Sequence, residues 1–211
     1  MVTKFPCPFD IGGCLFPADP ALSARDQPVF WSPSVAPAVV PLVPVSADTS
    51  DPSRFVCLSD LSSAAIREAT DGWHILYRKL NVEHRAWLRQ PPCRDAPFAA
   101  QILFDDGFEI RAHAARRLWR ALSGLPPGRE FHKLTAQRRA RLIQGLRALD
   151  AHQDGASYRL IAAALFGVER VSVRAWKTHD LRNRTIRLVQ NGKALMRGGY
   201  LDLLRYPLRR G

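Results

Sequence analysis

The sequence predicts an α+β protein: a mainly β N-terminal region of short strands and a hairpin, followed by a C-terminal helical bundle containing a helix-turn-helix. Three observations predict it. Prolines crowd the first 53 residues (Pro6, Pro8, Pro17, Pro20, Pro28, Pro33, Pro37, Pro41 and Pro44), which excludes long helices and central strands there. Beyond them the apolar residues recur at a period near two, and after Gly107 they recur at helical period. Charge divides at nearly the same place: residues 1–110 carry 9 Lys+Arg against 13 Asp+Glu, and residues 111–211 carry 22 against 6. Two regions follow, 1–107 and 108–211.

The elements are read in order. Val29–Trp31 and Val39–Val45 are short extended pieces, and Ser46–Ser53 is a surface loop. Phe55–Leu58 is a strand candidate, and Asp60 caps a short helix that runs through Ala69 and stops at Asp71-Gly72. Trp73–Arg78 and Glu83–Arg89 are rich in aromatic and branched residues around Leu80-Asn81, the pattern of a hairpin. Pro91-Pro92 breaks the second strand, Phe98–Phe104 is a further strand, and Asp105-Asp106-Gly107 is a turn. Ile110, Ala114, Leu118 and Leu122 mark a helix closed by Gly124 and Pro126-Pro127. Leu142, Ile143, Leu146 and Leu149 mark a second, from near Thr135 to just before Gly155. No internal repeat is found.

The run from Ser157 to Trp176 is the most informative. Ser157 suits an N-cap, and Tyr158, Ile161, Ala162 and Leu165 form one apolar face at helical spacing. Gly167 suits the stop, since glycine tolerates positive φ. Val168, Val173 and Trp176 are expected to plug a short second helix, 170–177, onto the first, leaving Arg170, Ser172, Arg174 and Lys177 outward. That is the layout of a helix-turn-helix, whose second helix lies in the major groove of DNA. Another helix, 180–191, capped by Thr178 or Asp180, buries Leu181, Thr185 and Leu188, presents Arg182, Arg184 and Arg187, and stops at Gly192. Gly198-Gly199-Tyr200 opens a last short helix, Leu201 to Leu204. There are two candidate reading helices: 170–177, with its apolar plugs, is expected to lie in the groove, and 180–191, longer and richer in arginine, to flank it on the backbone.

Composition narrows the function classes. The net charge of +12 is concentrated in the second half, which localises a polyanion-binding surface there. Arginine outnumbers lysine in that half, which suits bidentate contact with phosphate and guanine. No apolar run approaches the ~20 residues that span a bilayer. No signal peptide is read at the N-terminus, so a cytoplasmic location and no membrane partner are expected. Cys7, Cys14, Cys57 and Cys93 form no CxxC pair and lack histidines at zinc-finger spacing, so reduced structural thiols are expected.

A longer string of residues carries a family resemblance. Gly155-Ala-Ser-Tyr-Arg159, Ile161-Ala162, Leu165-Phe-Gly167, Trp176, Leu181-Arg182, Arg187-Leu188, Gly198-Gly-Tyr200 and Leu203-Leu204 resemble the DNA-binding domain of type VI secretion transcription factors. Similar domains occur in regulators of integrative and conjugative elements. The likeness is strongest over about residues 98–205, and Pro28-Val-Phe-Trp-Ser-Pro33 is similar to the upstream part of such proteins. The resemblance implies a transcriptional regulator, usually an activator, with a C-terminal helix-turn-helix. Some members of the family are anti-activators that hold a related protein.

Other constellations point to no chemistry of their own. His74 and His84 would face each other across the hairpin, but a metal site would need a third ligand such as Cys57 or Cys93. Asp105, Asp106 and Glu109 form the one tight acidic cluster, in a turn where aspartate is favoured for backbone reasons. Gly12-Gly13 lacks the GK[ST] of a phosphate loop, and no G-x-S-x-G occurs. Arg138, Arg139, Arg141 and Arg147 lie on the polar side of the helix before the motif, either solvated or on phosphate.

The expectation is sequence-specific binding of double-stranded DNA in transcriptional control, without catalysis, cofactor or metal. Region 108–211 is then the DNA-binding domain, and region 1–107 an oligomerisation or regulatory part. The expected contacts are Ser157, Arg159, Arg170, Ser172, Arg174, Lys177, Arg182, Arg184, Arg187 and Arg139. A homo-oligomer is expected because one short helix reads few base pairs, with RNA polymerase or a related regulator as a further partner. The rival readings are an anti-activator acting by protein contact and a nucleic-acid-processing enzyme.

Overall fold

The computed structural model describes residues 16, 19, 21–22, 26–45, 64–92, 97–130, 134–171, 176 and 179–205. Five strands come first: β1 (Val39–Pro44), β2 (Ala65–Ala69), β3 (Gly72–Lys79), β4 (Val82–Leu88) and β5 (Phe98–Ala100). The helices are α1 (Phe108–Leu122), α2 (Ala136–Gln153), α3 (Tyr158–Phe166), α4 (Asp180–Ala194) and α5 (Leu201–Leu204). This is the expected α+β order. By packing the chain forms two compact units, residues 1–131 with 201–211, and residues 132–200. The sequence boundary at 107/108 follows charge and periodicity; the packing boundary falls after α1.

In the sheet unit the strands lie in the order β2-β3-β4-β1-β5, so β1 is an inner strand, contrary to the expectation that the prolines exclude one there; its second neighbour, β5, is short and pairs only Leu42 to Pro44. β1 runs parallel to β4, and the other neighbours are antiparallel. The β3–β4 hairpin turns at Leu80 and Asn81, with φ of 51° and 60°. Two positive φ values match the twist of the flanking strands. One face carries Val40, Leu42, Ile75, Tyr77, Ala86 and Leu88 against Leu118 and Ala121 of α1. Each large apolar side chain so buried stabilises the unit by roughly 1.5–3 kcal/mol before ordering costs. On the other face Phe16 meets His74 and Phe30 edge-on, with the Arg67 guanidinium over both phenyl rings.

The hairpin register corrects one expectation. Tyr77 pairs with His84 and His74 with Trp87, and alternate residues point to opposite faces. His74 and His84 therefore sit on opposite sides of the sheet and share no ligand. His74 bonds Asp71 at 2.9 Å. His84 is buried, and burial with the nearby Arg117 charge lowers its pKa to about 4. Its Nε2 has no hydrogen-bond partner among the described residues. No group of metal-ligating side chains occurs among the described residues.

Other differences have local causes. The segment read as a helix ending at Ala69 is strand β2 from Ala65 onward, because pairing with β3 overrides its helix-forming composition. The strand expected through Phe104 ends at Ala100. Phe55–Leu58 and Asp60 lie outside the described residues. Asp105 accepts from Gly107 N–H at 2.9 Å and pairs with Arg111. Desolvation would raise its pKa, but the bonds from Arg111 and Gly107 and the Arg111 charge hold it below the usual range. The carboxylate is thus committed to the start of α1.

The helical unit packs α2, α3 and α4 on one another. Ala148, Ile161, Leu188 and Val189 form one cluster, and Ala162, Val171 and Leu181 a second. Trp176 is half-buried against the second. Ile143 and Leu146, expected inside, are exposed; Leu149 is buried as expected, together with Gly145 and Ala148. Small residues let α4 approach α2: a Cβ on Gly192 would lie 2.9 Å from the Gly145 carbonyl oxygen. Gly192 is therefore a packing residue inside α4 and not its stop. After Ala194 the chain makes a terminal turn, Leu195–Gly199, that leaves helical geometry at Arg197 and Gly198, the latter with φ of 112°. No helix among the described residues is long and apolar enough to cross a membrane.

Candidate nucleic-acid interface

The site is built outward from the packing of α3 and α4. Ser157 caps α3 by accepting from Leu160 N–H at 3.3 Å, so its hydroxyl is engaged in the fold. Gly167 ends α3 with φ 99° and ψ 139°. A 3-10 turn, Val168–Arg170, follows, and Val171 has φ −108° and ψ 89°. Of the helix expected over 170–177, Arg170, Val171 and Trp176 are among the described residues, and Arg170 ends the 3-10 turn. Val168, expected to plug it, is 74 % exposed, and Val171 occupies the buried position. Ser172, Val173, Arg174 and Lys177 lie outside the described residues.

α4 starts at Asp180, and its cap is His179, whose Nδ1 accepts from Leu181 N–H at 3.1 Å. Thr178 and Asp180 were the expected caps; an imidazole nitrogen takes that role. Leu181, Thr185, Leu188, Val189 and Gly192 face inward. Thr185 is fully buried and donates its hydroxyl to the Leu181 carbonyl at 2.7 Å, which satisfies it within the helix.

The outward face of α4 holds Asn183, Arg184, Arg187, Gln190 and Asn191, all exposed. These are the side-chain types that pair bidentately with base edges, Arg with guanine and Asn or Gln with adenine. The one acidic residue of α4 is Asp180, at its start. Arg184 stands over the Phe166 ring, 4.6 Å from its centroid. Arg182 is half-buried and shares less of this face. Arg159 on α3, Arg170 on the 3-10 turn and Arg139 on α2 are each exposed. Residues 132–200 hold 14 Lys+Arg against 4 Asp+Glu.

Sequence reasoning singled out the arginines of α4 but passed over Asn183, Gln190 and Asn191. Their signal was present: they fall with Arg187 at helical spacing, opposite the apolar residues.

A protein-family model described as the DNA-binding domain of T6SS transcription factors matches residues 101–205. The chain carries a domain of this family. The match includes α1, the whole helical unit and α5. It establishes the chain as bearing a DNA-binding transcription-factor domain. No curated protein matches the chain.

Proposed function

We propose that the protein regulates transcription, as an activator in the cytoplasm, by binding double-stranded DNA sequence-specifically. α3 and α4 act as the two helices of a helix-turn-helix, and α4 enters the major groove. The observation that carries this reading is the outward face of α4. Five exposed residues there are all bidentate donors or amides, with no carboxylate among them. Phosphate contacts from Arg139, Arg159 and Arg170 would position the domain without reading sequence. A homo-oligomer on a pseudo-palindromic site supplies enough base pairs for specificity, and RNA polymerase is the partner that an activator requires. No catalytic role is assigned.

The test is selection of bound duplexes from a random pool by the full chain and its variants. Arg187→Ala and Asn183→Ala are each expected to erase preference at one base position and to weaken the selected site about ten-fold or more. Arg139→Ala is expected to weaken all sequences alike. If preference survives both α4 variants and is lost in Arg174→Ala, the segment 170–177 reads the bases and α4 does not.

A further inference from the structure

The helical unit contains a cavity of about 560 Å3 between the first turns of α2 and the end of α4. This volume falls in the range of small-molecule sites, ~300–1,000 Å3. Its apolar lining comes from Leu142, Ala194 and Leu195, with the backbone of Gly145 and Gly199. Arg138 and Arg141, one helical turn apart, supply positive charge on the α2 wall. Thr135, Gln137 and Asn191 complete the polar lining, and no acidic residue lines the cavity.

The far wall is the terminal turn that follows α4, Leu195–Gly199. Tyr200 N–H donates to the Leu195 carbonyl at 3.2 Å, an i to i+5 bond. Gly198, with φ of 112°, ends the helix there, as bonds of the same span end α1 (Leu125 to Arg120) and α2 (Ala156 to Ala151). The turn places Leu195 and Gly199 together on the cavity. The Gly145–Gly192 approach closes the other end, because α2 and α4 come within backbone contact there.

We propose that this cavity binds a small amphipathic anion, an apolar body carrying one carboxylate, sulfonate or phosphate group. The apolar wall takes the body, and the Arg138–Arg141 pair takes the headgroup through charge-assisted hydrogen bonds. Asn191 contributes an amide on the side opposite the arginines. Because Asn191 lies one turn beyond Arg187 on α4, an occupant here touches the same helix face that the DNA reading uses. Binding itself is read without DNA, so its failure leaves that reading untouched.

The test titrates the full chain with 1-anilinonaphthalene-8-sulfonate and follows its fluorescence. Saturable binding is expected, displaced by decanoate at concentrations at least ten-fold below those needed with decanol. Arg141→Gln is expected to weaken the dye ten-fold or more. Ala194→Trp, at an exposed position whose larger side chain fills the cavity, is expected to abolish binding, with circular dichroism unchanged. Phe104→Ser, which removes an exposed aromatic of the sheet unit, is expected to leave the titration as it was. The proposal is overturned if Arg141→Gln and Ala194→Trp both bind as the wild type does, or if decanol competes as well as decanoate. It is also overturned if a short DNA duplex displaces the dye while decanoate does not, since the cavity would then be a phosphate contact.

Discussion

The two compact units use charge in opposite ways. In the sheet unit, charged groups close on each other: Glu83 bridges Arg78 and Arg85, Arg111 pairs with Asp105, and His74 with Asp71. Its residues hold 17 Lys+Arg against 15 Asp+Glu. In the helical unit the basic residues outnumber the acidic ones more than threefold, and Arg184 leans on an aromatic ring instead of a carboxylate. One unit spends its charge on its own geometry. The other keeps it on the surface, where like charges repel and a polyanion relieves the repulsion.

The largest expected effect tests that contrast directly. With about six phosphates neutralised, the slope of log affinity for DNA against log salt should be near −5, a loss of roughly 1,000-fold between 50 and 200 mM. Filter binding across that range checks it, and a flat response would end the contrast. Next comes paired mutation. Arg184→Ala with Arg187→Ala should weaken DNA binding on the order of 100-fold. Arg78→Ala with Arg85→Ala should leave it unchanged and lower the melting temperature, because half-buried Arg85 donates to both Glu83 and the Val29 carbonyl.

A third prediction breaks the sheet unit by pH. His84 has a folded pKa near 4, below its ordinary 6.5, because of burial and Arg117. The unfolded chain therefore binds the proton more readily, so the stability is present above pH 6.5 and is lost as pH falls towards 4. The loss should be on the order of 2 kcal/mol, read by denaturant titration at each pH, and His84→Leu should flatten it. His113 is also lowered, by burial first and by the Arg117 and Arg116 charges, against the raising effect of its hydrogen bond to the Arg129 carbonyl, and its contribution has the same sign.

The smallest effects contrast two glycines that face each other. Gly192→Ala would place a methyl 2.9 Å from the Gly145 carbonyl oxygen and from Leu149 Cβ. It should destabilise by about 1–2 kcal/mol despite better helix propensity. Gly145→Ala meets only the Leu188 carbonyl oxygen, at 3.7 Å. It should stabilise by roughly 0.5–1 kcal/mol. Equal shifts of the same sign in thermal melts would mean that the helices do not meet at these residues.

How much of this was legible depends on what each residue answers to. The β3–β4 hairpin and α1 were visible because their periodicity and their burial coincide. The helix Ser157–Gly167 was visible because its cap and its stop are both local chemistry. Strand β2 was not visible: Ala65-Ile-Arg-Glu-Ala69 is built of helix formers, and its strand state exists through hydrogen bonds to β3. Gly192 carried the mark of a stop, but its meaning is set by Gly145, 47 positions earlier. Val168 has the apolar side chain of a core residue, but the backbone at Gly167 turns it outward and brings Val171 in. The arginines of the site were legible as composition. Which side of α4 they share with Asn183, Gln190 and Asn191 needed the helix register, and the amides give no signal of charge.

The Arg184–Phe166 stack bears on the entropy of recognition. A free arginine side chain surrenders about 2 kcal/mol of rotamer freedom when it is fixed. Arg184 has its guanidinium already held over the ring that closes α3, so on the proposed reading part of that ordering is completed during folding and not at the encounter with DNA. A contact made by such a side chain is quick to form and intolerant of misplacement. Replacing Phe166 with an aliphatic residue would leave every hydrogen-bond donor in place and still slow the search for the right register, because the donor would have to be found before it could be used.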